Sequence, residues 1–318
     1  MGIVRAVDVG YGWVKYVRGR TPSTIECGKF PSLAPLASWR RLGSAESVRD
    51  TFLVTVDGLR YEVGPDAPIL RRAEVVRIAD DEYINTPQYQ ALCLGSLAAI
   101  GLHQLDTLVL GLPVHSMQRA PVLIERFKGA HTLPGLQVEI GRVLVLAQPV
   151  GGYFSAPPAG PSEVTLVVDP GFFTVDWVVM HGNRAQVERC GSHPGGVHAV
   201  LTTVAEGISA AIGRPYRNLD AIDASLVAGA PLRVQGAAVD LSQHLRRAEA
   251  RILEDIAAIT ASVGSGLDVD RVLLVGGGAA FYRAALQQRF RMTPEIPVDP
   301  EFANVRGFQL VGEQMAAH

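Results

Sequence analysis

A strand, a turn and a second strand are written twice in this chain, and that repetition limits its fold more than any other feature. Val164-Thr165-Leu166-Val167-Val168 is a near-continuous apolar run that ends in Asp169, turns through Pro170-Gly171, and resumes as Val175-Asp176-Trp177-Val178-Val179. Runs of this kind, bounded by turn residues, read as strands buried on both faces. Near the start, Ile3-Val4-Arg5-Ala6-Val7 leads in the same way into Asp8, one residue, Gly10, and a second strand through Lys15. Asp8, Gly10 and Lys15 therefore align with Asp169, Gly171 and Asp176. Two such copies, about a domain's length apart, imply an internal duplication whose paired turns face each other across a cleft.

The turns suggest chemistry as well as topology. An Asp at a strand tip, followed by a Gly that lets the backbone aim its N–H groups, can hold phosphate oxygens and a hydrated cation together. One such turn alone is also an ordinary strand end. The duplication raises its value, and so does Gly276-Gly277-Gly278, which follows the apolar run Arg271-Val272-Leu273-Leu274-Val275 and precedes a helical stretch. Bare backbone there can approach a ligand, although close helix–strand packing also selects Gly. Lys15 can equally be an outward strand residue, and Asp176 a partner in a structural ion pair. His193-Pro194 reads as an ordinary loop histidine, because the 8 histidines show no metal-ligand spacing.

At 318 residues the chain has room for two domains. The linker-like composition Ala156-Pro157-Pro158-Ala159-Gly160-Pro161 marks their border. In the first half, one short strand is expected at Ile25-Glu26-Cys27, within an aperiodic excursion from Thr21 to Asp50. A hairpin is expected around Asp57-Gly58, and a helix from Thr86-Pro87 to Ile100, stopped by Gly101 and burying Leu92, Leu97 and Ile100. A strand at Thr107–Leu110, a helix at Val122–Lys128, a strand at Val138–Leu146 and a short helix opening at Gln148 follow. The second half predicts a third strand near Ala185–Arg189 and a helix from Gly196 to Ile212. Leu241, Leu245, Ala248, Ile252, Ile256, Ile259 and Val263 step by four and three, giving a long helix with Ser242 as its cap and Gly264 as its stop. A last helix spans Asn304–Met315.

With 29 Lys+Arg against 31 Asp+Glu, there is no basic excess for nucleic-acid binding by bulk charge. Arg71-Arg72 and Arg246-Arg247 read as solvated faces. Cys27, Cys93 and Cys190 build neither a disulfide framework nor a zinc site, which fits a reducing cytoplasm. The longest apolar run, Ala91 to Leu102, is too short to span a bilayer, and the N-terminus enters a strand at once, so a soluble, unprocessed chain is expected.

The motifs together resemble a known superfamily. Asp8-x-Gly10-x-x-x-x-Lys15 resembles the first phosphate motif of the actin, sugar-kinase and heat-shock ATPase superfamily. Asp169-x-Gly171-x-x-Thr174-x-Asp176 resembles the second, and Leu274-Val275-Gly276-Gly277-Gly278-Ala279 the adenosine motif. Gln148 falls where the connecting segment carries a catalytic Gln or Glu. Glu301-Phe302-Ala303-Asn304-Val305-Arg306-Gly307-Phe308 resembles the closing helix of the ParM/StbA group of plasmid-segregation actins. The resemblance spans the chain with its motifs in order.

It implies an α/β, actin-like fold of two lobes, each with a ribonuclease-H-like mixed sheet, closing on Mg-ATP. Lobe I would be 1–155, completed by 302–318, and lobe II 156–301. Asp8 and Asp169 would hold Mg²⁺, and Lys15 would touch the β- and γ-phosphates. Backbone at Gly10, Tyr11 and Gly12, and at Gly171, Phe172 and Phe173 with Thr174 and Asp176, would grip the phosphates. Gln148 and Asp169 would be catalytic, orienting the attacking water. Gly276, Gly277 and Gly278, with Gly195 and Gly196, would approach the nucleoside.

Tyr11, Phe172 and Phe173 stand where many relatives place Ser, Thr or Gly, so mostly backbone contacts are left for phosphate. Pro170 sets one backbone angle and deletes a donor. Gln148 replaces a Glu common in ParM-like proteins and suits water positioning rather than proton abstraction. The resemblance implies a slow ATPase that forms head-to-tail filaments in plasmid partition, with an adaptor protein on the DNA and no direct nucleic-acid contact. The alternatives are a small-molecule kinase of the same fold and a nucleotide-dependent scaffold that does not polymerise.

Overall fold

Val4, Ala6, Val7 and Val9 are all buried, so the first apolar run can fold only as a strand covered on both faces. In the computed structural model, which describes residues 2–37, 49–70, 82–133 and 135–317, this run is β1 (Val4–Val9). The Arg71-Arg72 pair lies outside the described residues. The chain divides into two compact units, 1–158 with 297–318, and 159–296.

In the first unit, β1 is followed by β2 (Trp13–Arg20), β3 (Ile25–Pro31), β4 (Phe52–Val56) and β5 (Leu59–Val63). Next come α1 (Pro87–Ile100), β6 (Gln104–Leu112), α2 (Ala120–Phe127), β7 (Gly129–Leu133), β8 (Leu136–Ala147) and α3 (Gln148–Ser155). The main sheet runs β3-β2-β1-β6-β8-β7. β1, β2 and β3 form an antiparallel meander, and β6 and β8 extend it in parallel from β1. β4 and β5 form a hairpin of their own, turned by Asp57 and Gly58, both at positive φ as an Asp-Gly hairpin requires.

The alternation along β1 assigns its faces. Val7 and Val9 pack with Leu92 and Leu97 of α1, while Val4 and Ala6 pack with Val305 and Phe308 of the C-terminal helix, Ala303–Ala316. α1 is bounded as its sequence indicates. The Thr86 hydroxyl accepts from the Tyr89 N–H, Pro87 opens the first turn, and Gly101 closes the helix at φ 71°. The excursion after β2 holds a longer strand than Ile25-Glu26-Cys27, because pairing with β2 continues to Pro31.

The second unit contains β9 (Val164–Pro170), β10 (Thr174–His181), β11 (Arg184–Ala185), β12 (Gly191–Pro194), α4 (Gly196–Ile212) and α5 (Leu219–Ala228). It continues with β13 (Leu232–Val234), β14 (Ala237–Val239), α6 (Ser242–Val263), β15 (Arg271–Leu274) and α7 (Ala279–Phe290). β9 and β10 form the hairpin, β15 lies parallel to β9, and a single bridge from Leu273 to Glu295 begins a further parallel position. The strand expected over Ala185–Arg189 is corrected: pairing stops at Ala185, a short 3-10 turn covers Val187–Arg189, and β12 resumes against β10.

Leu166, Val168, Val175 and Val179 pack with α4, α6 and α7 through Val200, Leu201, Ile256, Ile259 and Tyr282. α6 presents Ala248, Ile252, Ile256, Ile259 and Val263 to this core and closes at Gly264, as its periodicity predicts. Ser242 does not cap it. The Asp240 carboxylate accepts the Ser242 N–H instead, at 2.9 Å. Arg246 and Arg247 are exposed on its outer face. Among the described residues no helix is long and apolar enough to cross a membrane, and the cysteines are free.

Candidate functional site: two equivalent strand-end turns

The two Asp-x-Gly turns are built alike. In the first unit Asp8 lies opposite Lys15 across the β1–β2 hairpin, and the Gly10 N–H closes the turn on the Trp13 carbonyl at 3.2 Å. In the second, Asp169 lies opposite Asp176 across β9–β10, and the Gly171 N–H closes on the Thr174 carbonyl at 2.8 Å. A Cβ at Gly10 or at Gly171 would sit 3.1 Å from that same carbonyl. The sequence alignment of the repeats is therefore also an alignment of register and hydrogen bonding.

In the first turn Asp8 is fully buried. The Gln148 side-chain amide donates to its Oδ1 at 2.7 Å, and Lys15 Nζ lies 3.4 Å from its Oδ2. Gln148 reaches it because α3 starts at that residue, directly after β8. The Gly10 carbonyl accepts from the Ser32 hydroxyl at 2.6 Å, and the Ser32 N–H donates to the Gly12 carbonyl. Tyr11 stacks on Tyr83 with centroids 4.9 Å apart. Carbonyls of the turn thus face inward onto Ser32, which favours an outward aim for its N–H groups. Sequence patterning does not single out Ser32 or Tyr83, since neither belongs to a periodic segment.

In the second turn Asp169 and Asp176 are both buried. Asp176 accepts from the Thr174 hydroxyl at 2.7 Å and the Ser192 hydroxyl at 2.6 Å. Phe172 and Phe173 cluster with His198, at centroid distances of 5.6 and 4.4 Å. The Gly195, Val197 and His198 N–H groups donate to the carbonyls of Phe173, Gly171 and Phe172, at 2.8, 3.0 and 2.7 Å. Gly195 and Gly196 thus pack the start of α4 against the back of the turn. At Gly196, φ is 61° and a Cβ would press on the Phe172 and Thr174 carbonyls.

The triple glycine divides by role. A Cβ at Gly276 would overlap the Asp169 carboxylate, and its φ is 79°. The Gly278 N–H donates to the Pro170 carbonyl at 3.0 Å, where a side chain has no room. Gly277 alone faces open space. Two of these glycines therefore serve the close approach of β15 to the turn.

His193 lies on β12 rather than in a loop, with Nδ1 2.7 Å from Asp255 Oδ1. The Tyr282 hydroxyl donates to the other oxygen of Asp255 at 2.5 Å. A pocket of about 230 Å³ opens beside this group, lined in part by Gly195, His198, Glu206, Arg251 and Glu254. Among the described residues no group of three His, Cys, Asp or Glu could by itself hold a metal ion. Asp8 and Asp169 are each hard oxygen donors, the ligand type that a hydrated Mg²⁺ ion takes.

Residues 6–151 match the family model for the N-terminal domain of actin-like proteins, and residues 167–288 match that for the C-terminal domain of archaeal MreB-like actin homologues. Together the two models cover both turns and the glycine segment. The chain belongs to the actin-like proteins. No curated protein matches the sequence.

This actin-like chain shares its fold with solved structures over nearly its whole length. The archaeal actin homologue Ta0583 superposes with a TM-score of 0.80 at 20% identity, covering 98% of this chain and 99% of that one. The same homologue in complex with ADP gives 0.77 at 20% identity, with the same coverage. The pCBH ParM non-polymerisable quadruple mutant gives 0.78 at 19%, covering 98% and 99%. A 15-stranded ParM filament from Clostridium botulinum gives 0.74 at 20%, covering 99% and 100%. The fold is actin-like, a mixed α/β architecture.

Proposed function

We propose that this protein is an actin-like ATPase that binds Mg-ATP through its two Asp-x-Gly turns and assembles into head-to-tail filaments, acting in plasmid or DNA segregation as ParM does. The observation that carries the reading is the duplicated turn, with the same Asp, the same Gly closure and the same strand register in each unit, Lys15 facing Asp8 where Asp176 faces Asp169. Fold similarity to ParM structures, a filament among them, and to a homologue in complex with ADP supports it.

In this reading the N–H groups of Tyr11 and Gly12, and of Phe172 and Phe173, take phosphate oxygens as preorganised dipoles, while the Gly10 and Gly171 N–H groups keep the two turns closed. Lys15 moves from Asp8 to the β- and γ-phosphates as a point charge. Mg²⁺, held by Asp8 and Asp169 through water, would neutralise phosphate charge. Gln148, its amide N–H engaged by Asp8, offers its carbonyl oxygen to orient the attacking water, and Asp169 accepts the proton. Gly277 and the pocket beside Gly195 leave room for the nucleoside. The self-association has a second copy of the chain as partner. An adaptor protein would carry the DNA in the cytoplasm.

Light scattering with Mg-ATP against Mg-ADP is the test. The proposal expects scattering to rise with Mg-ATP and phosphate to be released without an added acceptor. Phosphate transfer only when a small acceptor is present would replace it with the kinase reading. The aromatic packing of both turns favours a second reading, in which nucleotide binds but the protein neither polymerises nor turns over quickly. Tight ATP binding with flat scattering would establish that one.

A further inference from the structure

The start of α4 is unusual in where its N–H groups go. A helix leaves its first N–H groups without intrahelical partners, and these commonly take an anion or a capping side chain. Here Gly195, Val197 and His198 spend theirs on the carbonyls of Phe173, Gly171 and Phe172. The remaining one, from Gly196, is directed at the carboxylate of Asp255, which arrives from α6. Asp255 is 2% exposed and also takes the His193 ring at 2.7 Å and the Tyr282 hydroxyl at 2.5 Å. A Cβ at Gly195 would lie 2.8 Å from its Oδ1, so Gly195 is what lets the carboxylate reach the backbone.

We infer that Asp255 is a positioning residue for the second phosphate turn: by tying β12, the first turn of α4 and α7 to one buried carboxylate, it fixes the carbonyls of Gly171, Phe172 and Phe173 and hence the aim of that turn's N–H groups. The inference rests on the phosphate-binding reading of the turn. His193 is paired to β10 opposite Val175, so the tie reaches the turn from both its strand side and its helix side. Burial pushes the Asp255 carboxyl above its ordinary value, against the pull of Tyr282 and His193. A buried acid kept at such a disadvantage, beside an open pocket, is commoner at functional sites than in plain cores.

The test uses the full chain and two readouts. Hydrogen exchange without nucleotide should show Asp255→Asn releasing the 171–174 amides by roughly tenfold or more, while β15 keeps its protection. Binding should show ATP and ADP affinity falling roughly tenfold, with adenosine affinity unchanged, because only phosphate contacts depend on the turn. Tyr282→Phe, which keeps the packing and removes one hydrogen bond, should shift both readouts the same way by less, and decides the matter if Asp255→Asn does not fold. Unchanged exchange at 171–174, or equal losses for ATP and adenosine, overturns the inference. Failure of the wild-type protein to bind any adenine nucleotide overturns the phosphate reading instead, and leaves the exchange result to judge the tie itself.

Discussion

Gly276 and Gly277 are neighbours of the same residue type with opposite demands on them. At Gly276 a side chain would need a left-handed backbone and would collide with the Asp169 carboxylate. Gly276→Ala should therefore cost about 1–3 kcal/mol of stability and displace Asp169. Gly277→Ala meets open space and should stay within about 0.5 kcal/mol by denaturant unfolding. If Gly277 is where backbone approaches the nucleoside, that variant loses nucleotide affinity while keeping its stability, and equal affinity would remove Gly277 from the site. Asp169→Ala should retain nucleotide binding yet lose most phosphate release, about a hundredfold or more. Turnover at the wild-type rate would end its catalytic assignment. The glycines were legible as a backbone-approach signal. Their division into packing and open positions was not, because it depends on how closely β15 comes to Pro170, and no local pattern encodes that distance.

At the scale of elements, the legible ones were those whose signals lie within a few residues of each other. Thr86, Pro87 and Gly101 bound α1 because cap, first turn and stop act locally. β12 escaped notice because Ser192, His193 and Pro194 carry no strand propensity, and the strand exists by pairing with β10. Ser242 does not act as the cap because the helix already begins at that residue, with Leu241 before it, and the Ser242 N–H is taken by Asp240 two residues earlier. The C-terminal helix shows what long-range pairing adds. Arg20 on β2 grips Glu313 through both carboxylate oxygens, at 2.8 and 2.9 Å, and Gln309 bridges Glu313 to the Val4 carbonyl. Burial raises the Glu313 pKa, but the Arg20 fork and the Gln309 amide outweigh it, leaving the carboxyl below its ordinary 4.5. A carboxyl with a lowered folded pKa contributes stability above the unfolded value and loses it as pH falls through the folded one. Glu313→Gln should therefore melt lower than wild type at pH 7, and the gap should close as the pH drops below about 4.5. A gap that persists unchanged at pH 3 would mean that packing, rather than charge, holds the helix end.

Across the whole molecule the duplication is the deepest regularity, since the same hairpin, the same Gly closure and a parallel strand beside the first recur in each unit. Each unit nevertheless buries its own core, and the first draws part of that core from the far end of the chain. Phe308 is fully buried and packs with Val4, Ala6 and Val109, and its ring occupies the space beside Gly111 and Gly151. Gly151 and Gly307 lie so close that neither could carry a side chain without moving the C-terminal helix off α3. Removing the ring should cost about 3–5 kcal/mol, the usual range for a buried Phe→Ala, because close helix packing leaves little room to collapse into the void. Since the cores are separate, the loss should not spread evenly. In Phe308→Ala, hydrogen exchange should accelerate in β1, β6 and the C-terminal helix while β9 and β10 keep wild-type protection. Equal acceleration in both units would show that they unfold as one cooperative body. The C-terminal helix would then stabilise the second hairpin as much as the first.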